Sequence, residues 1–176
     1  FEPLLTLHTK KPRLGLFCYD GHMRVGKVIL ICGLPGSGKT TLAKQLELEQ
    51  NAIRFCPDEW LQELGISLWD ADARSKLEQR FWRLSQDIAL CGGTAILENG
   101  FWGKAERDGY LQTARERGFN IELRVLFVTK GETQKRLAAR GMEGDELILN
   151  KKLDEYYELF ELPTDEELEQ YDSDPM

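Results

Sequence analysis

A continuous apolar run, Lys27-Val28-Ile29-Leu30-Ile31-Cys32, passes directly into Gly33-x-x-x-x-Gly38-Lys39-Thr40. An apolar strand without alternation is covered on both faces, which predicts a central strand in a parallel α/β sheet. Glycines at 33, 36 and 38 permit successive backbone N–H groups to converge on one concavity. Thr40 to Gln50 carries Leu42, Ala43 and Leu46 on one helical face, so the loop opens a helix whose dipole is positive at its start. Strand, loop and helix in this order predict a phosphate-binding loop over Gly33-Leu34-Pro35-Gly36-Ser37-Gly38-Lys39-Thr40, with Thr41 beside it. The expected ligand is a nucleoside triphosphate, ATP, with Mg2+. Lys39 would reach the β- and γ-phosphates, and the Thr40 hydroxyl would ligate the metal.

The chain alternates strands and helices after this point. Ala52–Phe55 predicts a short second strand, broken by Pro57. Glu59–Leu64 predicts a short helix closed by Gly65, and Asp70–Leu90 a long one with Leu77, Phe81, Leu84 and Ile88 on one face. Thr94–Leu97 is the third expected strand and Ile121–Val128 the fourth, with a helix over Ala105–Arg117 between them. Thr133–Arg140 and Asp145–Phe160 are the last expected helices, followed by an acidic tail from Leu162 that should fray. The expected architecture is a P-loop NTPase three-layer α/β/α fold of the nucleoside and nucleotide kinase type. Its parallel sheet would have about four to five strands.

Residues 1–24 are set apart as an N-terminal appendage, and residues 25–176 as the folded domain. Gly21-His22-Met23 has the form of a junction left by tag removal, with Met23 as a candidate start, although no obvious tag precedes it. The formal net charge of -7 argues against a broad electrostatic surface for nucleic acid. No apolar stretch is long enough to span a bilayer. Cys18, Cys32, Cys56 and Cys91 lack zinc or redox spacing and read as reduced thiols, so a cytoplasmic location is expected.

Leu30 to Ala43 resembles the AAA_33 family of small P-loop kinases, a group that contains polynucleotide 5′-kinase domains and is similar to zeta toxins and chloramphenicol phosphotransferase. Cys56-Pro57-Asp58-Glu59-Trp60 resembles the segment after strand two where these kinases carry an Asp. Ala95-Ile96-Leu97-Glu98-Asn99-Gly100-Phe101-Trp102 resembles their third-strand motif, and Arg136-Leu137-Ala138-Ala139-Arg140 their arginine-bearing lid. Phe160 to Glu167 is similar to the group's C-terminus.

The resemblance implies a kinase that moves the γ-phosphoryl group of ATP to a hydroxyl of a small molecule or nucleotide. Asp58 is the expected base, with helix capping as the competing role. Glu98 stands where the family pattern has Asp and would serve the magnesium, while Asn99 would contact the acceptor or a water. Arg136 and Arg140, four apart on one helix face, would close over the transferring phosphoryl group together with Lys39. Trp60 and Trp102 are expected pocket walls, whereas Phe81 and Trp82 are expected in the core. Two alternatives stay open: a polynucleotide 5′-hydroxyl kinase, and an ATP-binding switch or antibiotic-binding protein with little turnover.

Overall fold

Val28 to Cys32 have no solvent-exposed surface, because the first strand lies inside a sheet with helices on both faces. The computed structural model describes residues 25–141 and 145–173; the expected appendage over residues 1–24 lies outside them. Four strands, β1 (Lys27–Gly33), β2 (Ile53–Phe55), β3 (Thr94–Gly100) and β4 (Asn120–Leu126), pair in parallel in the order β2-β3-β1-β4. Helix α1 (Lys39–Glu49) covers one face, where Ala43 and Leu46 pack on Ile29, Ile31 and Ile96. Helices α3 (Ala71–Leu90) and α4 (Lys104–Arg117) cover the other, with Phe81, Leu111 and Ala114 against Val28, Leu30 and Leu97. The three-layer parallel fold expected from the sequence is therefore present.

Local signals set most boundaries. Asp70 caps α3 by accepting a hydrogen bond from the Ala73 amide, and Gly118 ends α4 in a left-handed conformation. Helix α2 (Pro57–Glu63) begins with Pro at its first position. Its cap position is Cys56, not Asp58, so the capping role expected for Asp58 is not realised; that carboxylate pairs with Arg74 instead. Helix α5 (Lys130–Arg140) starts earlier than the sequence pattern indicated, because Thr129 caps it through the Glu132 amide.

Two other expectations are corrected. The single last helix is interrupted: α6 (Asp145–Leu147) runs into a π-helical stretch at Ile148–Lys152 before α7 (Leu153–Leu159). The tail does not fray over its described part. Thr164 caps α8 (Asp165–Leu168), Tyr171 is buried, and Asp172 bonds Ile121 of β4 through both its amide and its carboxylate. No described helix is long and apolar enough to cross a membrane.

Candidate active site

The C-terminal end of a parallel sheet is where ligands bind in open α/β folds, and the glycine loop stands there between β1 and α1. Gly36 and Gly38 have φ of 76° and 101°, angles that a side chain would strain. A Cβ on Gly33 would lie 2.6 Å from the Leu126 carbonyl oxygen, so the loop's start tolerates no side chain. No side chain caps α1, which leaves its first amides free to meet an anion. Lys39 folds back to donate to the Leu34 carbonyl at 2.9 Å. Burial pushes its amine down to about 8, with the Asp58 and Glu98 carboxylates pulling the other way.

Asp58 enters from the end of β2 in the first turn of α2, exposed to solvent. Its negative charge acts on both Lys39 of the loop and Arg140 of α5. Arg74 of α3 donates to it at 2.5 Å and also reaches the Leu68 carbonyl at 3.3 Å. Nearby, Glu78 is pushed up to about 7 by burial, moderated by Arg74 and reinforced by Glu106 and Asp58.

Glu98 lies near the end of β3, where the register against β1 slips: Leu30 faces Leu97, but Cys32 faces Gly100. This extra residue in β3 bends the strand at Glu98-Asn99, as bulges do beside sites. Glu98 is buried and accepts from Arg54 Nη1 at 2.5 Å. Arg54 also pairs with Glu59 and with Glu47, and Lys44 pairs with Glu59 at 3.2 Å. Both polar atoms of the Asn99 amide are buried without a hydrogen bond of good geometry; the Tyr110 hydroxyl is a polar neighbour.

The two arginines expected in a lid, Arg136 and Arg140, separate. Arg136 is anchored by Glu132 at 2.8 Å and reaches the Ser37 carbonyl of the loop at 3.5 Å. Arg140 is turned toward buried Asp145, to which Nε donates at 2.9 Å. Trp102 donates from its indole nitrogen to the Gly33 carbonyl at 3.2 Å and packs on Tyr156 at 4.8 Å. Trp60 is partly exposed against the edge of Phe81, which is in the core as expected. Trp82 packs between Tyr110 and Phe119.

The loop and Thr40 therefore fit a triphosphate. For magnesium, the described residues hold no cluster of three or more His, Cys, Asp or Glu side chains. Mg2+ on a substrate's phosphates keeps several waters and needs only one or two protein oxygens, which the Thr40 hydroxyl fits; Glu98 is engaged by Arg54. Sequence reasoning missed Arg54, Arg74 and Arg107, the last a buried arginine of α4 that donates to the Phe101 and Trp102 carbonyls. The signal for Arg54 was a charge between Ile53 and Phe55 inside a strand; for the helical arginines there was none.

This chain belongs to the AAA_33 family (AAA domain), whose model matches residues 28–163. Its fold is that of P-loop kinases. A sugar kinase from Janibacter sp. HTCC2649 superposes with a TM-score of 0.58 at 18% identity, over 81% of this chain and 82% of that one. The APS kinase CysC of Mycobacterium tuberculosis, solved in complex with AMPPNP and APS, gives 0.55 at 19% identity, over 70% and 72%. The Pnkp1/Rnl/Hen1 RNA repair complex gives 0.58 at 18% identity, over 81% of this chain but 48% of that one. No curated protein sequence matches the chain.

Proposed function

We propose that the chain is an ATP-dependent phosphotransferase acting on a hydroxyl of a small acceptor. The observation that carries this is the placement of Asp58, an exposed carboxylate with no part in capping, within electrostatic reach of Lys39 of the phosphate loop. The acceptor oxygen attacks the γ-phosphorus while its proton passes to Asp58, and the bond from the γ-phosphorus to the β–γ bridging oxygen breaks to release ADP. Arg74 orients the base. Lys39 and Arg136 offset the charge that grows on the phosphoryl oxygens, and Arg140 joins them on leaving Asp145. Thr40, supported by Glu98, would hold Mg2+, which when bound would supply charge neutralisation to the triphosphate.

Beside Asp58, Glu78 feels the Arg74 guanidinium and, more weakly, the Glu106 and Asp58 carboxylates, so the base stands among charges of both signs. The formal net charge of -7 favours a small molecule over a polynucleotide 5′ end.

The test is ADP release over a panel of nucleosides, sugars and antibiotics, with a 5′-hydroxyl oligonucleotide as a separate arm. One acceptor should stimulate turnover. Asp58→Asn should lower kcat by about 10²–10⁴ with ATP affinity retained, while Lys39→Ala abolishes turnover. Full activity in Asp58→Asn would remove the base assignment. Label on the oligonucleotide would move the acceptor to nucleic acid, and ATP binding without turnover on any acceptor would defeat the kinase reading in favour of a switch.

A further inference from the structure

The phosphoryl-transfer chemistry uses nothing after Lys152, yet the segment resembling the family's C-terminus is firmly built into the molecule. Arg107 of α4 is fully buried, and its guanidinium is shared among three residues. Nε and Nη2 donate to the Glu167 carboxylate at 2.6 and 3.1 Å. Nη1 donates to the Phe101 and Trp102 carbonyls at 3.0 and 2.9 Å. The tail grips the same place twice more: Tyr171 donates to the Arg107 carbonyl at 3.2 Å, and the Glu161 amide to the Trp102 carbonyl at 3.0 Å.

The turn held this way is an unusual one. Phe101 has φ of 49° directly after Gly100 at 100°, so two consecutive residues lie in the left-handed region. A bulky residue there persists only when its surroundings hold it. What the turn achieves is the approach of Trp102 to the phosphate loop: its indole N–H meets the Gly33 carbonyl, and a Cβ on Gly100 would lie 2.8 Å from that nitrogen. A buried ion pair is a poor source of stability but a good source of fixed geometry.

We propose that the C-terminal segment 164–172 is a positioning element of the nucleotide site. Glu167, acting through Arg107, sets the Phe101–Trp102 turn so that the Trp102 indole fixes the first carbonyl of the phosphate loop. Arg107, Glu167 and Trp102 are positioning residues; none donates to the phosphates. The inference rests on the loop's holding a triphosphate, and on no identity of the acceptor.

The test is a double-mutant cycle on the full chain, read as the Kd of a non-hydrolysable ATP analogue with Mg2+, with the melting temperature measured in parallel. Trp102→Phe keeps the ring and removes the N–H, and should weaken binding about 3- to 10-fold with little change in melting temperature. Glu167→Gln should weaken binding by a similar factor while also lowering the melting temperature. The double variant should bind no worse than the weaker single, because both act on one contact. Should Glu167→Gln not fold, Glu167→Asp replaces it in the cycle, since it keeps the charge and withdraws the carboxylate. Unchanged affinity in Trp102→Phe, or two losses that multiply, overturns the proposal and assigns Glu167 to stability alone. A wild-type chain that does not bind the analogue overturns it together with the proposed function. Coupled losses in a chain that phosphorylates no acceptor support it while defeating that function.

Discussion

An ammonium group that loses its water shell gives up its proton more readily, and Lys39 sits at about 8 instead of 10.5 for this reason. A polyphosphate beside it restores the preference for the charged form. Binding should therefore take up a proton at alkaline pH, and ATP affinity should fall as pH rises above about 8. Titration calorimetry in buffers of different ionisation enthalpy should show this uptake in the wild type. It should vanish in Lys39→Met; an uptake that survives the substitution would assign it elsewhere. The residues of the loop were legible because their spacing expresses a backbone need. Arg54 and Arg107 were not, since their partners, Glu98 and Glu167, lie 44 and 60 positions away and only the fold joins them.

Among the elements, α3 carries the most exposed tension between packing and charge. Glu78 is held in its half-buried place with its carboxyl raised to about 7 from an ordinary 4.5. Its folded form thus binds a proton more tightly than the unfolded chain. The stability this gives is complete below about pH 4.5 and is lost as pH rises through 7. Glu78→Gln should gain on the wild type in melting temperature by roughly 5 °C between pH 5 and pH 8. A difference constant with pH would show that the carboxyl titrates normally. Helix and strand existence followed from periodicity and from Gly, Pro and Asp punctuation. The π-helical stretch at Ile148–Lys152 and the slip in β3 did not, because neither alters the apolar pattern that sequence reading depends on.

Across the whole molecule, the Arg107–Glu167 pair joins α4 to α8 through the interior. Arg107→Met alone strands a buried carboxylate and should cost about 3–5 kcal/mol in urea unfolding. Adding Glu167→Met should recover most of that loss, since an apolar pair of similar volume is tolerated, yet should not restore nucleotide affinity. Full recovery of both would make the pair dispensable. The tail's docking was hidden in the sequence by its acidity, which reads as solvated until Arg107 is known to face it. The sheet order has a further effect. Among the described residues, β1 is the first strand of the sheet but lies inside it, and its neighbours β3 and β4 begin only at Thr94 and Asn120. During synthesis, Val28 to Cys32 must remain unpaired while the next sixty residues and more emerge from the ribosome. An apolar segment left unpaired for that interval is open to association with other chains, so refolding yield should fall as protein concentration rises.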